Sequence, residues 1–245
     1  MKLAQLFGQG KTVFSCEVFP PKRDMPIDSI YTTLDGLKDI HPDFISVTYG
    51  AGGSKVNQTT REIASIIENK YHIPAMAHLT CVGADKNDVD QLLADLKADG
   101  VENILALRGD VNPDVPPKTD FAHASDLVTY IRSHSDFGVS AACYPEGHLE
   151  SPDLVSDIRH LKEKVDAGAQ HLVSQLFFDN EDFFRFLERC RIAGINVPIE
   201  AGIAYAIDQI SDLIAGGVDG IHLYTMNNPA VAQQIAGSIS SIRRV

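Results

Sequence analysis

Hydrophobic residues form eight short, nearly continuous runs along the chain, separated by longer stretches in which apolar residues recur at helical spacing. Continuous apolar runs are typical of strands that are buried on both faces of a parallel sheet. The predicted strands begin near Thr12, Phe44, Ala75, Asn103, Gly138, His171, Val197 and Ile221. This alternation predicts an α/β fold built from repeated strand and helix units.

Two of the intervening stretches show the helical pattern most clearly. In the first, Leu92, Leu93 and Leu96 follow Val89 at intervals of three, four and seven, and Gly100 is placed to end the helix. In the second, Asn180 is a candidate cap for a helix that ends at Gly194. Its apolar stripe, which we interpret as core, consists of Phe183, Phe184, Leu187 and Cys190. The other predicted helices are Ile27–Ile40, Gln58–Tyr71, Ser125–Ser133, Leu154–Ala167, Tyr205–Ala215 and Pro229–Ile242.

Eight strand and helix units in 245 residues predict a (β/α)₈ TIM barrel. No linker rich in Gly, Ser or Pro divides the chain, so we expect a single domain over residues 1–245. A doubly wound sheet is the alternative, and it would be favoured by a G-x-G-x-x-G turn after the first strand, which is absent. In a barrel, the active site lies at the C-terminal ends of the strands.

Charge and composition exclude several classes of function. The chain has 21 Lys and Arg against 33 Asp and Glu, and its formal charge of -12 opposes binding to nucleic acid or to anionic membranes. No apolar run approaches the length of a membrane span, and the first residues lack a signal-peptide pattern. We therefore expect a cytoplasmic protein.

The cysteines Cys16, Cys81, Cys143 and Cys190 are far apart and form no C-x-x-C pair. Three of them lie in or beside predicted strands, and Cys190 lies on a helical stripe. We therefore expect buried thiols rather than disulfides or metal ligands.

Polar residues follow many of the predicted strands at the end where a barrel site would lie. The clearest case is the apolar run that stops on Arg108, Gly109 and Asp110. Glu17 closes the first strand in the same way, and Gln175 follows the sixth. By itself, each of these groups is as consistent with a turn or an ordinary strand end as with catalysis.

Taken in order, eight motifs resemble the methylenetetrahydrofolate reductase family over nearly the whole chain. They are Ser15-Cys-Glu-Val-Phe-Pro-Pro-Lys22, Ser46-Val-Thr-Tyr-Gly-Ala51, Ala77-His-Leu-Thr-Cys81, Leu105-Ala-Leu-Arg-Gly-Asp110, Ala142-Cys-Tyr-Pro-Glu146, Lys164-Val-Asp-Ala-Gly168, Gln175-Leu-Phe-Phe-Asp179 and Leu223-Tyr-Thr-Met-Asn227. Each motif alone is weak, but their shared order is specific.

The resemblance implies a flavoprotein barrel of one-carbon metabolism that binds FAD. Such an enzyme uses NADH or NADPH to reduce 5,10-methylenetetrahydrofolate to 5-methyltetrahydrofolate, and one site serving both substrates predicts ping-pong kinetics. The expected partners are these small molecules and further copies of the chain in a homo-oligomer, with no nucleic acid and no membrane. Two alternatives remain open, namely a non-catalytic flavin- or folate-binding subunit and a barrel enzyme acting on another small anionic substrate through a metal.

The resemblance assigns catalytic roles to two carboxyl groups. Glu17 matches the general acid that helps to open the folate ring, a task that needs a carboxyl group protonated near neutral pH. Asp110 matches a residue beside the flavin that shapes hydride transfer. Gln175 matches a residue that contacts folate and nicotinamide through its amide. Tyr224 and Thr225 lie in the last motif, where packing and ligand contact are equally consistent with the sequence.

A larger set of residues matches the family's cofactor contacts. Lys164 is suited to a pyrophosphate and Tyr144 to stacking or hydrogen bonding. A lone His78 would more often be a core histidine, and its place within a motif favours ligand contact. The full set is Thr48, Tyr49, Ala51, His78, Arg108, Gly109, Asp110, Ala124, Tyr144, His148, Asp157 and Lys164.

The chain departs from the family pattern after the seventh predicted strand. There, Ile203 passes directly into Ala204, where the family has several tens of residues that include a glutamine and a phenylalanine in contact with folate. We therefore expect the cofactor site to survive this difference better than the folate site. Smaller departures, at positions where the family commonly has asparagine or arginine, are His160, Glu163 and Asn228.

Overall fold

A computed structural model describes residues 1–21, 26–49, 54–110, 118–204 and 207–242. The strands are β1 (Val13–Val18), β2 (Phe44–Val47), β3 (Ala75–Thr80), β4 (Asn103–Leu107), β5 (Gly138–Cys143), β6 (His171–Ser174), β7 (Ile199–Ile203) and β8 (Gly220–Tyr224). The α-helices are α1 (Ser29–Lys38), α2 (Ser54–Lys70), α3 (Lys86–Ala98), α4 (Ala124–His134), α5 (Leu154–Asp166), α6 (Asn180–Ile192), α7 (Ile207–Ala215) and α8 (Pro229–Ile239). Each predicted strand begins within two residues of its predicted start.

The eight strands form a closed parallel barrel in sequence order. The barrel closes where β1 pairs with β8, in a register that aligns Val13 with Gly220 and Glu17 with Tyr224. The predicted (β/α)₈ barrel is therefore confirmed, and the doubly wound alternative is wrong. Closure leaves no edge strand, so these strands have both hydrogen-bonding sides engaged.

The largest differences from the predicted helix boundaries lie in α2 and α8, and the cap of α6 differs as well. Helix α2 begins at Ser54, four residues before the predicted start, and α8 ends at Ile239 rather than Ile242. The cap of α6 is Asp179 and not Asn180, because the Asp179 carboxylate accepts a hydrogen bond from the Glu181 amide at 2.8 Å. The Asn180 side chain instead donates to the Gln209 carbonyl at 3.1 Å and ties α6 to α7.

Apolar packing divides into an outer and an inner core. The outer core lies between the barrel and its helices and contains the predicted stripe residues Leu93, Phe183 and Cys190. The inner core fills the N-terminal end of the barrel and is closed by the turn Leu3–Leu6. It consists of Leu3, Leu6, Phe7, Val13, Phe44, Met76, Leu105 and Val173. The N-terminal end of the barrel is therefore a packed plug.

Polar side chains, in contrast, occupy the rest of the barrel interior. They come from seven strands and contact one another, which is possible only inside the barrel. They are Ser15 and Glu17 on β1, Ser46 on β2, His78 on β3, Ser140 on β5, His171 on β6, Glu200 on β7 and His222 on β8. All are buried, and among the described residues three of their polar atoms, His78 Nε2, His171 Nε2 and Glu200 Oε2, make no hydrogen bond.

The four cysteines are buried free thiols, as predicted. Burial raises the pKa of Cys81 to about 11 and that of Cys190 to about 12. A thiol with a raised pKa holds little thiolate at neutral pH, so these groups are structural rather than reactive. Among the residues that the structure describes, no helix is long and apolar enough to cross a membrane.

The connection between β7 and α7 consists only of residues 204–206, as the short sequence at this point predicted. Close packing fixes the preceding strand, because a Cβ added at Gly202 would lie 2.2 Å from the Ser174 carbonyl oxygen. The same added atom would lie 2.7 Å from the ring of Tyr224, whose hydroxyl donates to that carbonyl at 2.9 Å. Only glycine fits at this position without displacing backbone.

We predict that Gly202→Ala lowers the free energy of unfolding by about 1–3 kcal/mol, since the added methyl must displace β6 or the Tyr224 ring. Urea unfolding followed by circular dichroism would measure the change. Gly237→Ala in α8 is the matched control, because a Cβ there meets no atom within 4 Å, and it should raise stability by about 0.5–1 kcal/mol. Equal stability of the two variants would contradict the packing argument.

Candidate active site

A cleft of about 470 Å³ opens beside the C-terminal ends of β4 and β5, bordered by the start of α4 and by α5. Six of the predicted cofactor residues line it, namely Arg108, Ala124, Tyr144, His148, Asp157 and Lys164. Residues that are far apart in sequence thus meet at one cleft, and its size is within the range of small-molecule sites. Their grouping follows from the barrel, which brings consecutive strand ends together.

Lys164 supplies a positive charge within this cleft. Its Nζ donates to the Ala142 carbonyl at 2.9 Å and lies 5.8 Å from the centre of the Tyr144 ring. Burial lowers the pKa of Lys164, opposed by the nearby Cys143 and Asp157. A half-buried ammonium group beside the first-turn amides of α4 is suited to bind an anion such as a phosphate.

Arg108 is held by a carboxylate that the sequence analysis did not consider. Its guanidinium donates to Glu150 Oε1 at 2.8 Å, and this contact raises the pKa of Arg108. Glu150 is exposed at the cleft, as is Glu163 on α5. An anionic ligand that engages Arg108 must therefore displace Glu150.

The turn after β4 approaches β3 closely. Gly109 has a φ of 84°, and a Cβ there would lie 2.9 Å from Cβ of Thr80. The glycine is needed for this turn, which delivers Arg108 to the cleft and leaves Asp110 exposed. Asp110 still lies close enough to the cleft for its charge to act on Arg108 and Tyr144.

Glu17 lies in the barrel interior, surrounded by polar groups from three other strands. Its side chain is about 5% exposed, and its Oε2 lies 3.5 Å from Nε2 of His78 and 3.5 Å from Nε2 of His222. The Ser46 hydroxyl donates to the same oxygen at 3.5 Å. These long contacts leave the carboxyl group weakly held, in a position where it can exchange a proton with a bound molecule.

His78 is neutral at physiological pH, because burial lowers its pKa to about 4. The attraction of Glu17 opposes this shift without overcoming it. His78 Nε2 makes no hydrogen bond with any residue in the described part of the chain. A buried polar atom without a partner is rare, and a ligand at this point would supply one.

The last sequence motif holds the end of β1 in place. The Thr225 hydroxyl donates to the Glu17 carbonyl at 2.6 Å. The Asn227 amide bonds the backbone of Phe19 in both directions, accepting from its N–H and donating to its carbonyl, each at 2.9 Å. Thr225 and Asn227 therefore fix the backbone on both sides of Val18, and with it the direction of the Glu17 side chain.

Comparisons with known proteins assign the chain to a family. Residues 2–204 match the family model described as methylenetetrahydrofolate reductase. The chain belongs to the methylenetetrahydrofolate reductase family. It is 41% identical to methylenetetrahydrofolate reductase (NADH) 1 of Arabidopsis thaliana over 217 residues, which cover 82% of this chain and 36% of that protein. It is 39% identical to 5,10-methylenetetrahydrofolate reductase of Escherichia coli over 195 residues, covering 80% and 65%.

The chain thus spans between about a third and two thirds of the length of these relatives. The aligned region shared with a Zea mays relative is 287 residues long, more than the 245 of this chain, so that relative carries residues with no counterpart here. The match to the methylenetetrahydrofolate reductase family model ends at residue 204, at the short β7–α7 connection.

Solved structures of similar fold include an uncharacterized protein from Clostridium thermocellum that binds two copies of 5-methyl-5,6,7,8-tetrahydrofolic acid. Its TM-score is 0.64 at 11% identity, over 95% of this chain and 96% of that one. At this identity the likeness shows the shared barrel fold alone.

The remaining residues matched to methylenetetrahydrofolate reductase lie outside the cleft. Thr48 and Tyr49 follow β2, and Thr48 is held by backbone bonds, donating to the Val18 carbonyl at 3.0 Å. Gln175 is exposed after β6, where its amide oxygen accepts from the Leu176 N–H at 2.9 Å. Ala51 lies outside the described residues.

Sequence reasoning missed the interior groups that surround Glu17. His222 and Ser46 contact its carboxyl group, and each lies two residues or fewer from a recognised motif. Strand alternation was the available signal, because residues at i and i+2 face the same side. His222 precedes Tyr224 by two positions and shares its face, and Ser15 precedes Glu17 in the same way.

We predict that His78 makes the protein less stable in acid. The unfolded chain binds a proton at this residue below about pH 6.5, whereas the folded protein binds it only near pH 4. The free energy of unfolding should therefore fall as the pH is lowered through this window, by up to about 3 kcal/mol. Urea unfolding at pH 7, 5.5 and 4 should show a shallower acid slope for His78→Gln. His160→Gln, an exposed control, should keep the original slope.

Proposed function

We propose that the chain catalyses the NAD(P)H-dependent reduction of 5,10-methylenetetrahydrofolate to 5-methyltetrahydrofolate, with FAD bound in the cleft beside β4 and β5. The observation that supports this most strongly is Glu17, a buried carboxyl group at the C-terminal end of β1, inside a chain of the methylenetetrahydrofolate reductase family. When bound, FAD would accept a hydride from NAD(P)H and return it to the folate.

The residues of the cleft fit a flavin dinucleotide. Lys164 and the first-turn amides of α4 would hold the pyrophosphate, and Tyr144 offers an aromatic ring beside them. Asp157 is buried and accepts from the Ser151 hydroxyl at 2.8 Å, and its negative charge attracts the Lys164 ammonium group. Glu163 is exposed and free to turn towards solvent.

Lys164→Met should weaken FAD binding by about 10- to 100-fold, because it removes the half-buried cation from the cleft. Titration of FAD fluorescence quenching would measure the dissociation constant. Lys162→Met is the matched control, since Lys162 lies on the same helix and pairs with Asp166 outside the cleft. The same loss of affinity in both variants would argue against the assigned pyrophosphate position.

Glu17 acts in this proposal as the general acid that protonates the folate ring nitrogen as the ring opens. Its position at the barrel mouth limits water access, and His78 beside it stays neutral. Gln175 is exposed and able to turn its amide towards either substrate. Asp110, exposed after the glycine turn, would place a negative charge near the cofactor. Use of one site by both substrates in turn gives ping-pong kinetics.

Glu17→Gln should slow oxidation of the reduced enzyme by 5,10-methylenetetrahydrofolate by about 100-fold or more, because the amide cannot donate the proton. Reduction by NAD(P)H should change little, since it does not need the acid. Stopped-flow absorbance at the flavin band separates the two half-reactions. Glu188→Gln, exposed on α6, serves as the control. Ordinary folate turnover by Glu17→Gln would refute the assignment.

A non-catalytic flavin- or folate-binding subunit is the second candidate, and the short β7–α7 connection favours it. The family segment that contacts folate has no counterpart there, so folate affinity is expected to be weaker than in full-length relatives. Stopped-flow mixing of the reduced protein with 5,10-methylenetetrahydrofolate distinguishes the two. A folate-dependent return of the flavin absorbance supports the enzyme, and bound flavin without it supports the subunit.

A further inference from the structure

A row of five buried side chains runs through the barrel interior and ends at Glu17. We call it the interior row: His171, Glu200, Ser15, His222 and Glu17. Nε2 of His171 lies 3.1 Å from Glu200 Oε2, and the Ser15 hydroxyl lies 2.9 Å from Glu200 Oε1. The same hydroxyl lies 2.6 Å from Nδ1 of His222, whose Nε2 faces Glu17 at 3.5 Å.

The packing of the barrel leaves room for Glu200, the second carboxyl group of the interior row. Glu200 has no exposed surface, yet the neighbouring strand leaves room for it at Gly220. A Cβ at position 220 would lie 2.7 Å from Cγ of Glu200 and 3.0 Å from its Oε1. A fully buried carboxylate is costly, so its retention beside a proton-transfer group calls for a physical explanation.

The donors and acceptors in the interior row determine the direction in which its hydrogen bonds run. The Ser15 hydroxyl has one proton and donates it to Glu200 Oε1 at 2.9 Å. Ser15 Oγ must then accept from His222, which places the imidazole proton on Nδ1. A neutral imidazole has one N–H, so His222 Nε2 presents a lone pair both to Glu17 at 3.5 Å and to the Ser46 hydroxyl at 3.4 Å.

With an acceptor nitrogen opposite it, the Glu17 oxygen faces lone pair against lone pair unless that oxygen carries a proton. The other titratable groups at this point do not offset the effect. His78 on β3 is neutral, since burial lowers its pKa to about 4, and burial raises the pKa of Tyr224 on β8 well above its usual range. Of the described residues of β2, Ser46 contacts this point, and it does so through its hydroxyl.

We propose that Glu200, acting through Ser15 and His222, is a positioning residue that keeps Glu17 in the protonated form required of a general acid. This proposal rests on the proposed function of Glu17. Glu200 does not contact the substrate in this scheme. It sets the proton position on His222, and His222 in turn sets the form of Glu17.

The first test measures the His222 tautomer by NMR of the full chain labelled with ¹⁵N-histidine, without cofactor or substrate. We expect the neutral Nδ1–H form near pH 7, with the signals assigned by their loss in His222→Asn. In Ser15→Ala the link to Glu200 is broken, and the proton should move to Nε2, where Glu17 can accept it. Ser140→Ala removes a buried hydroxyl that bonds His171 instead, and should leave His222 unchanged. An imidazolium, or the same tautomer in Ser15→Ala, would overturn the proposal.

The second test follows oxidation of the reduced, FAD-loaded protein by 5,10-methylenetetrahydrofolate as a function of pH. In Ser15→Ala, the rate of oxidation by the folate should begin to fall about one pH unit lower than in the unmodified protein. Above that pH, the rate should be about tenfold below that of the unmodified protein. Reduction by NAD(P)H should not shift, and Ser140→Ala should match the unmodified protein. If the His222 tautomer changes in Ser15→Ala but the pH profile of the rate does not, the proposed effect of His222 on Glu17 is wrong. No folate-dependent oxidation in the unmodified protein would instead contradict the proposed function, while the NMR comparison would still decide the tautomer.

Discussion

Pairing of β1 with β8 is the interaction on which the rest of this structure depends. It closes the sheet, and closure turns one face of every strand inward, so that polar side chains from seven strands share a single buried interior. Thr225 and Asn227 reinforce the same seam by bonding the backbone at the end of β1. Glu17 lies on this seam, and its direction is therefore fixed by the contact that completes the barrel.

The interior is divided between two kinds of packing. Apolar side chains fill the N-terminal end, where the turn Leu3–Leu6 closes the barrel. Buried hydroxyl, imidazole and carboxyl groups occupy the remainder, and hydrogen bonds between them offset part of the cost of burying them. Apolar side chains close the N-terminal end of the barrel, and polar side chains lie towards the other end. The groups that could take part in a reaction therefore lie towards the C-terminal end.

The cofactor cleft and the acid come from different parts of the barrel. The cleft belongs to β4, β5 and the helices that follow them, whereas Glu17 is held by β1, β2, β3 and β8. Neither part uses the connection after β7, which is reduced to residues 204–206. This separation explains how a chain that lacks residues present in its relatives can keep the groups expected to bind a flavin and to donate a proton.

The sequence by itself determined the barrel, because eight apolar runs with helical stretches between them have few other ways to bury their surfaces. Its motifs, through their resemblance to the methylenetetrahydrofolate reductase family, also pointed to Glu17 and to six residues that line the cleft. Only the tertiary structure decided what these groups contact. Arg108 bonds Glu150 rather than Asp110, and His222 and Glu200 meet Ser15 across the closed interior. Such contacts join residues up to about two hundred positions apart, and strand register, which local sequence does not encode, sets them.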